Sequence, residues 1–160
     1  MSVPVDASRP PPRPAPTLAE LAAACLAVSR APEARKPLRI FGEQVLARPI
    51  EDAIAESGLP APSLAEPVFG TAEHLCGRIE RGEKADLYLS EDLVRPRRLV
   101  TADLAKHVIP FARQGHCAAI LGMAVVTDRP EALLFATFLL SEEGQAVLAR
   151  HGFRPVASDL

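Results

Sequence analysis

Carboxylate, imidazole and thiol side chains collect at two glycine turns in this 160-residue chain. Glu43 follows Gly42, and Glu73, His74 and Cys76 follow Gly70-Thr71. His116 and Cys117 lie side by side further on. Glu43, Glu73, His74, Cys76, His116 and Cys117 offer the atoms a metal needs, but at poor spacing. Residues two apart on a helix point in different directions, and adjacent residues on a strand face opposite ways. No metal is therefore expected. Catalysis finds no support either. No serine or cysteine stands in a nucleophile motif, and Cys76 and Cys117 read as small buried hydrophobes. No lysine follows Gly70-Thr71, so the turn is not a phosphate loop. What remains is the backbone of two helix starts, whose N–H groups and dipoles favour an anion. The expectation is a binding protein without a cofactor, not an enzyme.

Pro67 to Asp92 is the clearest of the elements that position these turns. It reads as strand, glycine turn, helix, glycine stop and strand. Thr71 is placed to cap the helix. Leu75, Ile79 and the stem of Arg78 fall on one side, with Glu80, Arg81 and Glu83 on the other. Gly82 suits a left-handed end, and Leu87-Tyr88-Leu89 forms a short strand. Upstream, Leu38-Arg39-Ile40-Phe41 is a strand ending at Gly42. A helix from Val45 to Ser57 follows, with Val45, Leu46, Ile50, Ala53 and Ile54 on one face. Pro49 is tolerated only in a first turn, so the helix proper starts near Arg48. Leu38 to Tyr88 is thus β–α–β–α–β, which implies parallel strands.

Asp92 to Ala105 is charged helical material, and Arg95-Pro96-Arg97-Arg98 reads as a solvated helix start. Val108 to Ala112 is a strand, and Gln114-Gly115 turns. Cys117 to Val126 is an apolar run in which Gly122 marks a bulge or the approach of another backbone. Pro130 opens the last strong helix, with Ala132, Phe135, Ala136, Phe138, Leu139 and Leu140 as its buried face. Ala146, Val147 and Leu148 continue that side. Gly152 caps it and Phe153 returns to the core. The fold expected is a single three-layer α/β/α lobe with a mostly parallel sheet.

Composition narrows the partners. Hydrophobic residues make up 48 % and support a core, whereas aromatics reach only 4 % and Trp is absent. Stacking on bases or sugars has little to use. A net charge of −2 and a pI near 6.1 give no footprint for nucleic acid. Three cysteines without a CxxC spacing make no disulfide framework, and no apolar run is long enough for a membrane span. Residues 1–16 read as a proline-rich disordered arm, and residues 17–37 as a helix with a charged connector. Thr17 and Glu20 form a capping box there. Arg9 and Arg13 ahead of Ala22-Ala23-Ala24-Cys25 faintly resemble an export signal, but Glu20 interrupts the apolar segment. A cytoplasmic location is favoured, and residues 38–160 form the domain proper.

Within that domain, LCGRIERGEKADLYLSED, IPFARQGHCAAI and ALLFATFLLSEEGQAVLARHGFRPV resemble the molybdate-type periplasmic substrate-binding proteins of ABC transporters. The resemblance covers roughly Leu38 to Val156 and implies one lobe of a type 2 periplasmic binding protein. In the family a second lobe lies between the PFAR and LGMAVV strands; here only about five residues do, a loop length. The chain resembles the first lobe alone. The resemblance implies an oxyanion at two helix starts, here Gly42, Glu43, Gln44 and Val45 with Gly70, Thr71, Ala72 and Glu73. Val45 stands where the family has a serine, and only Thr71 keeps a hydroxyl. A family tyrosine corresponds to about Leu121 or Gly122. Glu43 and Glu73 would repel an anion or bond their own helix starts. A periplasmic location would follow from the family.

Two functions compete. One is small-oxyanion binding, with molybdate as the type ligand. The other is a homodimer or protein-partner module without a small ligand. The second would dock through an exposed cleft face around Gly42, Val45, Thr71, Leu121 and Met123.

Overall fold

The computed structural model describes residues 36–156 except 116 and 118, and the side chain of residue 61 is not described. The expected proline-rich arm, the helix from Thr17 and the possible export signal lie outside the described residues. Six strands form one sheet in the order β2-β1-β3-β5-β4-β6. They are β1 (Ile40–Glu43), β2 (Val68–Gly70), β3 (Leu87–Ser90), β4 (His107–Gln114), β5 (Ile120–Val125) and β6 (Phe153–Arg154). β1 pairs in parallel with both β2 and β3, and β5 runs antiparallel to β3 and β4. β6 runs antiparallel to β4. Strands β1 to β4 therefore point one way, and β5 and β6 point the other. The sheet is mixed, with its parallel half where the β–α–β–α–β pattern predicts it.

Side chains alternate between the sheet's faces. Ile40, Leu87, Leu89, Leu121, Met123 and Val125 join one apolar cluster. Helices α1 (Ala47–Glu56), α4 (Pro130–Leu140) and α5 (Glu142–Arg150) cover it through residues such as Ile50, Phe135 and Val147. Phe41, Tyr88 and Ala124 face the other way. There α2 (Ala72–Glu80) and α3 (Val94–Thr101) supply Leu75, Ile79 and Leu99. The three-layer α/β/α arrangement follows from these two faces.

Most local signals hold. Thr71 caps α2 by accepting from the His74 N–H at 3.3 Å. Gly82 and Gly152 end their helices at φ +95° and +87°. Pro49 sits in the first turn of α1, and Pro130 opens α4. Arg95 binds Asp92 at 2.6 Å and Arg98 binds Glu80 at 2.6 Å, so two of the three clustered arginines pair with acids of the chain. Gly122 is a close approach, since a Cβ there would meet the Asp92 carbonyl at 2.9 Å. The bulge itself lies in the partner strand, where the register shifts between Pro110 and Ala112.

Several expectations fail for identifiable reasons. β1 runs on through Gly42 to Glu43, and Leu38 stands apart in a bridge to Leu64. Residues 44–46 form a 3-10 turn before α1. Its tighter winding turns Val45 off the buried face, leaving it 55 % exposed. Leu140 is exposed at the α4–α5 break, and Ala146 is exposed on α5. Cys117 is exposed because it lies in the β4–β5 turn, ahead of the strand. Among the described residues, no single helix is long and apolar enough to cross a membrane.

Two contacts in this fold carry measurable consequences. Gly144 in α5 packs on α4, and a Cβ there would lie 1.9 Å from the Phe138 carbonyl oxygen. Backbone cannot yield as a flexible side chain can, so Gly144→Ala should cost about 2–3 kcal/mol in urea unfolding. Glu83 accepts from Arg78 at 2.5 and 2.6 Å and from Arg39 at 2.9 Å. Arg78 first, then Arg39, hold its carboxyl well below the ordinary value, at about 2. A depressed folded-state pKa gives stability that is complete above the unfolded value and is lost as pH falls through the folded one. Thermal unfolding of the native chain should therefore lose stability between about pH 4.5 and 2, and Glu83→Gln should flatten that slope.

Candidate functional site

The parallel strands bring the two glycine turns together. Gly42 pairs with Phe69, and Glu43 with Gly70. The chain then leaves β1 into the 3-10 turn and leaves β2 into α2, so both helix starts open at one sheet edge. All eight predicted site residues, Gly42, Glu43, Gln44, Val45, Gly70, Thr71, Ala72 and Glu73, belong to this edge. Gly42 is buried against Ile50 and Phe69. Gln44, Val45, Thr71 and Glu73 are exposed. The first-turn N–H groups of α2, at Ala72 and Glu73, have no acceptor within their own helix. A groove of about 520 Å³ adjoins the edge, lined in part by Gln44, Val45, Arg48, Glu51, His151 and Phe153. His151 closes α5 and sits 2.7 Å from Asp52.

Glu43 departs from expectation. Its carboxylate bonds neither its own helix start nor any outside group. It lies inside, 2 % exposed. Oε1 accepts from the Tyr88 hydroxyl at 2.7 Å and the Ser90 hydroxyl at 2.7 Å. Oε2 accepts from the Glu91 N–H at 3.0 Å. Burying a carboxylate costs several kcal/mol unless donors replace its water, and here both oxygens are served. Burial, and then the bond to Glu43, push the Tyr88 phenol far above its usual value, so it remains a donor. Burial likewise raises the Cys76 thiol, which suits a packing role rather than a nucleophile.

Tyr88, Ser90 and Glu91 are the partners that sequence reasoning missed. A signal existed: a lone tyrosine in a buried strand must place its hydroxyl somewhere, and Ser90 shares its face two residues on. Glu73 stays exposed in the first turn of α2. The apolar cleft face does not exist as expected, because Leu121 and Met123 are fully buried beneath the α1, α4 and α5 layer. Of that group only Val45 and Thr71 are exposed. His74 is exposed while Cys76 is buried, as their spacing requires. His116 lies outside the described residues. No group of three or more metal-binding side chains occurs among the described residues.

Known proteins share this architecture. A family model described as bacterial extracellular solute-binding protein matches residues 107–154, from β4 to β6. The Uncharacterized protein PM1146 of Pasteurella multocida (strain Pm70) is 41 % identical over 73 residues, 46 % of this chain. The match spans 29 % of that relative's length. The substrate binding domain assigned to a molybdenum ABC transporter of Clostridium difficile superposes with a TM-score of 0.64 at 13 % identity. The superposition covers 75 % of this chain and 99 % of that one, so the two share a fold. The mixed six-stranded sheet with its helices is that of a substrate-binding-domain lobe.

The Glu43 contacts make a direct prediction. Glu43→Ala takes the acceptor from two buried hydroxyls and a half-buried N–H and should destabilise the chain by about 2–4 kcal/mol. Tyr88→Phe leaves the carboxylate two donors and should cost about 1–2 kcal/mol. Denaturant midpoints of both variants test the order.

Proposed function

We propose that the chain is a solute-binding lobe of the ABC-transporter type that takes a small oxyanion at the edge where β1 and β2 end. The observation carrying this reading is the register of Glu43 opposite Gly70, which sets two helix starts side by side. N–H groups at Ala72 and Glu73, the Thr71 hydroxyl and the adjoining turn at Gln44 and Val45 face the same edge. With the helix dipoles they favour negative charge. Molybdate is the type ligand, on the strength of the fold shared with a molybdenum transporter domain. Likeness to extracellular solute-binding proteins is consistent with a periplasmic location. Glu73, exposed in the first turn of α2, is an opposing charge at this edge.

A second reading rests on Glu43. Its carboxylate already occupies the interior donors of the edge, so the exposed rim around Val45 would serve a second copy or a protein partner instead.

Thermal-shift titration with molybdate, tungstate and sulfate separates the readings, because a ligand of the native state must raise stability with its concentration. The first reading expects a saturable rise for at least one oxyanion. Glu73→Gln should then bind about fivefold tighter, since one unit charge 4 Å away in water is worth about 1 kcal/mol. No rise with any of the three, together with a dimer in sedimentation, selects the second reading.

A further inference from the structure

The donors around Glu43 have the form of an anion site already filled. Tyr88 Oη and Ser90 Oγ reach one carboxylate oxygen, each at 2.7 Å, and the Glu91 N–H reaches the other at 3.0 Å. These donors come from the end of β3 and the residue after it, whereas the acceptor comes from β1, 45 to 48 residues earlier. Between them they serve both oxygens of the carboxylate. Ser90 is itself held in place, accepting from the Asp92 N–H at 3.3 Å. Tyr88 and Ser90 are fully buried, and the Glu91 N–H belongs to the backbone.

We infer that Tyr88, Ser90 and the Glu91 amide form a preorganised cradle for a small carboxylate-sized anion, which the chain fills with its own Glu43 side chain. The ligand class is a planar monocarboxylate such as formate or acetate, which reproduces the end of a glutamate side chain. Glu43 then acts as a tethered occupant. Its attachment through β1 gives it a high effective concentration, so a free anion does not displace it from the native chain. This cradle is distinct from the helix-start edge proposed above, because its two hydroxyl donors are interior and that edge is exposed.

Removing the occupant while keeping the cradle tests the inference. Glu43→Ala vacates the space of an acetate-sized group and removes the acceptor that the three donors share. Its melting temperature is expected to rise by about 5 °C or more with saturating sodium formate, relative to sodium chloride at equal ionic strength. The native chain and Glu43→Gln, whose space is filled, are expected to give equal curves in the two salts. Adding Ser90→Ala to Glu43→Ala should raise the half-saturating formate concentration at least tenfold. A Glu43→Ala chain that responds alike to formate, acetate and chloride overturns the inference, and Glu43 is then a structural tie only. So does a chain that remains unfolded at every formate concentration, because a competent cradle must lend its binding energy to folding. A formate response equal in the native chain and the variant also overturns it. Titrating oxyanions on the native chain reads the other edge, so either proposal can fail alone.

Discussion

A carboxylate sealed in the interior must be surrounded by donors or it will not stay there. That constraint governs the edge of the sheet where β1 ends. Glu43 is the last residue of its strand and is almost wholly buried. The donors that permit this sit on the neighbouring parallel strand and just past it. The pairing fixes where β1 stops relative to β3, and so where the turn into α1 begins. It also determines that the lone tyrosine of the chain lies in the core. The phenol's bond is one of three that the sealed carboxylate accepts.

The opposite edge repeats the logic with another acid. Asp86, 7 % exposed, precedes β3 and accepts from the Arg39 N–H at 2.8 Å and the Thr127 hydroxyl at 2.6 Å. Arg129 adds a bond at 3.2 Å from the residue before α4. The lead into β1, the exit from β5 and the start of α4 thus meet on one carboxylate. Between the two acids the sheet is apolar on both faces. Hydrophobic burial holds its layers together, while the acids fix the register at its ends. Burial is non-directional and tolerates sliding; a carboxylate with three fixed donors does not.

How far the sequence discloses this depends on the range of the interaction. Local rules are readable. The cap at Thr71, the left-handed stops at Gly82 and Gly152, and the prolines at helix starts each involve residues within a few positions of one another. The parallel half of the sheet was readable too, because helical and strand periods alternate from Leu38 to Tyr88. Val45 misled because one 3-10 turn changes the phase of the helix without changing its composition. Leu121 and Met123 misled because an apolar strand does not announce which layer will cover it. The site was half legible. Its eight residues do share one edge, yet the direction of Glu43 depends on Tyr88 and Ser90, more than forty residues away. Nothing local to Gly42-Glu43 encodes that inward turn.

That inward turn decides which groups remain for a ligand. Had Glu43 stayed at the surface, it would have stood in front of the helix starts as a competing negative charge. Drawn inside, it leaves that space but takes the two buried hydroxyls with it. An outside anion is left with backbone N–H groups, one threonine hydroxyl and the ends of two helices. Those donors are directional but open to water on one side, where dipole effects are worth only about 0.3–1 kcal/mol each. Such an edge holds a ligand firmly only if something else covers it, because most binding sites bury the greater part of their ligand. The turn that takes Glu43 inside thus leaves at the edge only donors that water also reaches, and it is there that a weak anion site and an empty one differ.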